Sequence, residues 1–321
     1  MKDEYQVAWW NLENLFDIEN SPSREKRIKS TIKAEVRGWT RKELVRKTVQ
    51  LSKIIGMLNE NKGPDILGVC EIENKNVLQN LISNLSFLER KYKIAHEEMD
   101  DGRGIDIGLI YDSKKFKMTK KFSHWIIRRN STRDILQVNL TIKKSNKELI
   151  IVCNHWPSRR EGESYTEPFR IVAADSLNYF IQRIQQIRGK EIPILVMGDF
   201  NDTPRNKSIM QYALGTNNLI RVINDNNSTR LYNLMNYLFS KKYGTYFHRS
   251  KPVMLDQFLA SRGFFIKNST LSIKPRSVKI ENFQEMKNKN NSPKKFGRPS
   301  NKTLNENGYS DHFPISVTIV N

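Results

Sequence analysis

The stretch Gly308-Tyr-Ser-Asp-His-Phe-Pro-Ile315 runs directly into Ile315-Ser-Val-Thr-Ile319. The second part alternates apolar and polar residues, the period of a half-buried β-strand. Asp311 and His312 therefore stand at the mouth of a strand, a carboxylate beside an imidazole. Working outward, the same arrangement recurs along the chain. Tyr5–Trp10 reads as a strand that leads into Asn11 and Glu13, and Ile66–Cys70 as one that ends in Glu71. Leu149–Cys153 leads into Asn154 and His155, and Ile194–Met197 into Asp199, Asn201 and Asp202. Met254–Ala260 carries Asp256 inside an apolar frame, Met-Leu-Asp-Gln-Phe-Leu. An ionised carboxylate between Leu255 and Phe258 is costly unless partnered, and His312 is the expected partner.

Helices are expected between these strands. Thr40-Arg-Lys-Glu43 fits a capping box, in which the hydroxyl and the carboxylate satisfy free backbone N–H groups at a helix start. Leu44, Leu51, Ile55 and Leu58 then recur at helical spacing up to Gly63-Pro64. A second helix is expected over Val77–Leu88, followed by strands near Tyr92–His96, Ile105–Tyr111 and Leu136–Ile142. Thr166 as N-cap, with Pro168 in the first turn, opens a long helix whose stripe is Phe169, Val172, Leu177, Phe180, Ile184 and Ile187. Short strands are expected around Gly244–Phe247 and Met254–Ala260. Strands and helices alternate with no clear linker and no internal repeat, which points to a single α/β domain spanning residues 1–321.

The chain is long enough to bury a substantial core. Its 54 Lys+Arg against 34 Asp+Glu leave a net charge of +20, which favours polyanions, nucleic acid before an anionic membrane surface. Two segments concentrate the charge. Residues 21–47 read either as a basic flap or as a solvated loop and helix face. Residues 285–302, rich in Lys and Asn, read as a mobile loop with too little apolar surface to order itself. The two cysteines, Cys70 and Cys153, each end an apolar run and read as buried thiols, not a disulfide frame. No signal peptide is visible and no apolar run approaches a membrane span, so a cytoplasmic protein without a transmembrane segment is expected.

If the polar strand ends share one edge, they assemble carboxylates for a hard cation, imidazoles for proton transfer and amides for orientation. That inventory suits metal-assisted cleavage of a phosphoester. Neither a Walker loop nor a nucleophilic serine elbow is present.

The ordered motifs WNLEN, GVCEIEN, RGIDIGLIYD, NHWPSRR, GDFND, LDQFLAS and YSDHFP resemble the endonuclease/exonuclease/phosphatase superfamily, with the RGID and NHWPSRR forms similar to a bacterial branch of it. The resemblance runs from Trp9 to about Ile315. It implies a DNase I-like α/β fold, a four-layer sandwich of two packed mixed β-sheets flanked by helices, with the basic stretches near 21–47 and 280–307 as insertions. It also implies in-line attack of an activated water on a phosphoester with Mg²⁺ or Mn²⁺. Carried over by residue, Glu71 is the principal metal ligand, helped by Asp311, with Asn11 beside the metal and Glu13 as a second-metal or outer carboxylate. Asp199 orients or deprotonates the water, and Asn201 holds it. His312, oriented by Asp256, donates to the scissile phosphate, and His155 assists the leaving oxygen.

Asn154, Arg103, Arg159 and Arg160 are the expected contacts to substrate phosphate, because a guanidinium meets phosphate bidentately. The competing role for Arg159 and Arg160 is an ion pair with Glu161 or Glu163. Asp106 and Asp202 are expected to be structural, and His96, His124 and His248 ordinary. The leading expectation is a monomeric nuclease acting on DNA or RNA. The alternatives are a phosphatase or phosphodiesterase of inositol phosphates, phosphoinositides or phospholipid head groups, and a nucleic-acid-binding module without activity.

Overall fold

The computed structural model describes residues 3–127 and 132–321. In chain order the strands are β1 (Glu4–Leu15), β2 (Ile66–Ile72), β3 (Tyr92–His96), β4 (Asp106–Asp112), β5 (Phe116–His124), β6 (Ile135–Ile142), β7 (Glu148–His155) and β8 (Ile194–Asp199). They continue with β9 (Gly215–Thr216), β10 (Leu231–Asn233), β11 (Tyr246–His248), β12 (Lys251–Val253), β13 (Asp256–Ala260), β14 (Ser272–Ile273), β15 (Lys279–Ile280) and β16 (Ile315–Val320). The helices that bear on the argument are α1 (Lys29–Ile32), α2 (Arg41–Asn61), α3 (Lys75–Ser83) and α4 (Glu163–Arg188).

The strand opened by the 308–315 stretch pairs antiparallel with β1, Trp9 opposite Ile315, and β1 pairs parallel with β2. These belong to a seven-stranded mixed sheet in the order β14-β16-β1-β2-β4-β3, with β15 also on β16. A second seven-stranded mixed sheet runs β5-β6-β7-β8-β13-β10-β9.

Alternation along β1 shows why both faces are covered. Val7 and Trp9 point into the core between the sheets, where they meet Leu195, Met197 and Phe258. Ala8 and Trp10 point outward into a layer built with Leu51, Ile54 and Ile55 of α2 and Val77, Leu78 and Leu81 of α3. On the far side, Ile150, Val152 and Val196 pack under Ala173, Leu177 and Ile181 of α4. Strands buried on both faces read as continuous apolar runs, which is what Leu149–Cys153 and Ile194–Met197 are. The result is helix, sheet, sheet, helix.

The capping box is present: the Thr40 hydroxyl accepts from the Lys42 N–H at 3.2 Å and the Glu43 carboxylate accepts from the Thr40 N–H at 3.1 Å. Leu44, Leu51, Ile55 and Leu58 are all buried. Other expectations shift. α4 begins at Glu163, one turn before Thr166, whose hydroxyl donates back to the Gly162 carbonyl at 2.6 Å. Its buried face is Arg170, Ala173, Ala174, Leu177, Ile181 and Ile184, while Val172 and Ile187 are exposed, because at about 100° per residue they fall off that stripe. β5, which the sequence reading missed, is a lysine-studded edge strand, a composition that blunts an edge and hides the strand signal.

The two basic segments are tied down. Ile28, Ile32, Val36 and Trp39 are buried among the residues of the β1 outer layer. Arg24 is buried against Glu73, Nε to Oε1 2.7 Å. The 285–302 segment, expected to be mobile, buries Met286 and Phe296 completely and pairs Arg298 with Glu35. Two apolar anchors and a set of buried acceptors order it where composition suggested nothing would. Cys70 and Cys153 are buried and free, as expected. No helix among the described residues is long and apolar enough to cross a membrane.

Candidate active site

Register brings the chemistry together. In the second sheet His155, Asp199 and Asp256 lie side by side, His155 opposite Asp199 across β7 and β8 and Asp199 opposite Asp256 across β8 and β13. Asp199 is the hub. Its Oδ2 lies 3.0 Å from Asn11 Nδ2, 3.8 Å from His155 Nε2 and 3.8 Å from His312 Nε2. Its Oδ1 accepts the Asn201 N–H at 2.9 Å. Burial, with Asp256 close by and the opposing pull of His312 insufficient, pushes the Asp199 carboxyl up to about 6.

From the first sheet come Asn11 and Glu71. The β2–β4 register slips between Cys70 and Ile72, and Glu71 sits in that irregularity with φ +59°. A bulge re-aims a side chain, and positive φ in a glutamate is strain of the kind that collects at functional sites. Glu71 Oε2 accepts the Asn14 N–H at 3.0 Å, and Oε1 lies 3.4 Å from Asn11 Nδ2 and 3.9 Å from His155 Nε2.

His312 Nδ1 lies 2.7 Å from Asp256 Oδ2, the pairing the sequence called for. Trp9 Nε1 donates to the other Asp256 oxygen at 2.9 Å, and the Asp256 N–H donates to Thr245 Oγ1 at 3.1 Å. The Ser310 hydroxyl donates to the Asn11 carbonyl at 2.6 Å and accepts the His312 N–H at 3.1 Å, which pins the bend before β16. Burial opposes charge on His312, but Asp256 and then Asp199 outweigh it and hold the imidazole well above its usual range. His155 is the opposite case. Burial and the cations Arg133 and Arg103 hold it well below the usual range, so it is neutral. The pocket thus contains one cationic and one neutral imidazole on either side of one carboxylate.

The guanidinium groups divide. Arg103 stands close enough to Glu71, Arg133 and Arg160 to feel their charge, and burial first, then Arg133, lowers its pKa. Arg160 is exposed beside it. Arg159 is otherwise engaged. Its Nη2 lies 2.7 Å from Asp202 Oδ1 and its Nη1 2.9 Å from Glu163 Oε1, so it braces the 199–206 loop and forms the competing ion pair with Glu163. Asn154 departs from its expected place at the phosphate: fully buried, it accepts from Trp156 Nε1 at 3.2 Å and donates to the Val152 carbonyl at 3.3 Å. Asn201 donates its amide to the Trp156 carbonyl at 3.0 Å.

Glu13 is also turned from the expected position. Both of its oxygens accept backbone N–H groups, from Phe296 at 2.8 Å and Gly297 at 3.2 Å. Asp311, a quarter exposed, lies at the pocket, 4.0 Å from His312 Nε2 and 3.8 Å from Lys295 Nζ. Asp106 is hydrogen-bonded to His96 at 2.9 Å, and Asp202 is ion-paired with the fully buried Arg170 at 2.9 Å.

Four residues at the site went unassigned in the sequence. Trp9 falls inside the expected first strand, Tyr5–Trp10, where nothing marks its indole N–H. Arg133, whose Nη1 lies 2.9 Å from Asp101 Oδ2, Thr245 and the buried Lys47 carried no local signal. Glu71 and Asp311 are partly exposed carboxylates, the ligand type a divalent cation that keeps several waters would take. Asp199, Asp256 and His312 also approach within 4.8 Å of one another, with His312 Nδ1 bonded to Asp256 and Nε2 facing Asp199.

A two-sheet α/β sandwich with a polar, carboxylate- and imidazole-lined pocket at one end defines the class. The chain belongs to the Endonuclease/Exonuclease/phosphatase family, whose model matches residues 6–321. No curated protein sequence matches it. Solved structures share the fold at low identity. A family protein from Bacteroides thetaiotaomicron aligns at 17% identity, covering 100% of this chain and 98% of that one, with TM-score 0.59. The human Nocturnin catalytic domain with a bound sulfate anion aligns at 17%, covering 100% and 98%, TM-score 0.56. A mannosyl-6-phosphatase from Bacteroides thetaiotaomicron aligns at 15%, covering 99% and 100%, TM-score 0.59.

Proposed function

We propose that the protein is a Mg²⁺-dependent phosphodiester hydrolase that cleaves nucleic acid. The observation that carries the reading is the Asp199 carboxylate held 3.8 Å from both His155 and His312, within a network that reaches Glu71. Asp199, kept partly basic by burial, accepts a proton from the attacking water. His312, kept cationic by Asp256, donates to a non-bridging phosphate oxygen where negative charge grows. Neutral His155 donates a hydrogen bond to the departing oxygen. Glu71 and Asp311 would hold the cation, which supplies charge neutralisation at the phosphoryl group.

The net charge of +20 and the neighbouring guanidinium groups of Arg103 and Arg160 favour a polyanionic strand. A second reading, a phosphatase or phosphodiesterase of a phosphorylated small molecule or lipid head group, is favoured by a cleft of about 390 Å³ beside Asp311 lined with Asn and Ser side chains. A panel of single- and double-stranded DNA and RNA, inositol phosphates and sugar phosphates, each with Mg²⁺, Mn²⁺ or chelator, separates them. Metal-dependent cleavage of a nucleic acid supports the reading. Turnover of the small phosphoesters alone overturns it in favour of the second.

A further inference from the structure

The segment 294–309 buries Phe296 and Tyr309 in the layer outside β1 and ends beside Asp311. Its two arms bond to each other: the Tyr309 N–H donates to the Lys294 carbonyl at 2.7 Å and the Asn305 N–H to the Phe296 carbonyl at 2.7 Å. Two side chains from elsewhere fix this excursion to the site. Glu13, at the end of β1, accepts the N–H groups of Phe296 and Gly297 with its two oxygens. Lys47, from α2, is completely buried and donates to the Tyr309 carbonyl at 2.8 Å. Its Nζ also lies 3.8 Å from Glu13 Oε2 and 4.8 Å above the Phe296 ring. A buried ammonium persists only where a buried anion and acceptors compensate it, and Glu13 with the Tyr309 carbonyl does so.

Between the anchors stands Lys295. Its side chain is 57% exposed, and Nζ lies 3.8 Å from Asp311 Oδ2 and 5.9 Å above the Tyr246 ring. That is longer than a direct hydrogen bond, and Lys295 lines the cleft beside Asp311, so the ammonium faces a space that substrate would fill.

We propose that Glu13 and Lys47 are positioning residues that hold the 294–309 excursion against the site, and that Lys295, presented by it, binds a substrate phosphate next to the one being cleaved. The second half rests on the reading of the protein as a hydrolase of a polyanion. The first half does not.

The experiment compares wild type with Glu13→Gln, Lys47→Met, Lys47→Arg and Lys295→Ala. Gln at position 13 keeps the shape but can offer only one acceptor to the two N–H groups. Amide hydrogen exchange over 294–309 is expected to accelerate at least about tenfold in Glu13→Gln and Lys47→Met while β8 stays protected, with Lys47→Arg intermediate. Mg²⁺ affinity by calorimetry stays within about threefold in Glu13→Gln, since that carboxylate is spent on the excursion. For an oligonucleotide, KM rises about tenfold in Lys295→Ala with kcat nearly unchanged, and the effect is absent for a substrate with a single phosphate.

A tenfold loss of Mg²⁺ affinity in Glu13→Gln with unchanged exchange makes Glu13 a metal ligand and overturns the positioning role. An unchanged oligonucleotide KM in Lys295→Ala, or the same rise for both substrates, overturns the phosphate contact. Should wild type cleave no oligonucleotide, the hydrolase reading fails, and the exchange data still decide the role of Glu13 and Lys47.

Discussion

Nδ1 of His312 lies 2.7 Å from Oδ2 of Asp256, and the other oxygen of that carboxylate takes the Trp9 indole N–H at 2.9 Å. The imidazole is thereby fixed in rotation and held cationic, with Nε2 turned to Asp199. A charge-assisted bond of this kind both orients a donor and raises its pKa.

Asp256→Asn should therefore cost about 10²–10⁴-fold in kcat, the range for a mis-set general acid or electrostatic donor. The alkaline limb of the pH–rate profile should move to lower pH, because the cation loses its main support. The stability contribution has a definite sign as well. A raised histidine pKa stabilises the fold below the unfolded value of about 6.5, and that contribution is lost as pH rises through the folded value. Thermal melts of wild type and Asp256→Asn against pH check this, with the gap between them greatest on the acid side.

Asp199 titrates in the other sense. Its carboxyl is pushed up to about 6 by burial, so ionising it costs folding stability. In chelator, Asp199→Asn should gain stability relative to wild type as pH rises from about 4, the unfolded carboxyl value, to about 6, and the two curves should run parallel above that. The same variant should lose at least about 10³-fold in kcat if this carboxylate activates the water. Parallel melting curves across the whole window would contradict the burial argument.

The arginines separate by role. Arg103→Ala and Arg160→Ala should each reduce the salt slope of nucleic-acid binding by about one counterion, with little change in melting temperature. Arg159→Ala should do the reverse, because it removes one partner of the buried Asp202. Loss of the fully buried Arg170 should be worse, about 3–5 kcal/mol, since it leaves Asp202 short of its deepest partner. Fluorescence-anisotropy salt titrations and melts distinguish the two groups.

Glu71→Gln retains the acceptor for the Asn14 N–H but not the charge. Calorimetric Mg²⁺ affinity should fall at least about tenfold with folding nearly intact, and activity should return only in part at high metal.

Much of this site was legible in the chain. The polar residues at the ends of β1, β2, β7 and β8, and before β16, could be read off because a buried strand must be apolar along its length, leaving polar groups to its ends. The Asp256–His312 pair could be read because a carboxylate framed by Leu255 and Phe258 requires a partner. Lys47 could not, since at one position in a basic run it looks like any solvated lysine. Nor could the order of the 285–302 segment, which depends on Phe296 and Met286 finding room in a layer built by α2 and β1.

The sequence by itself determined the long buried strands, the two long helices and which strand ends carry charge, because these follow from local periodicity, capping and the cost of burying a polar group. The tertiary structure alone decided where each side chain points. Glu71 enters the pocket and Glu13 leaves it through backbone turns with positive φ, Asn154 is taken up by Trp156 at the end of its strand, and Arg159 by Asp202 of the 199–206 loop. Direction is set by register, bulges and competing partners, and those exist only once distant segments have met.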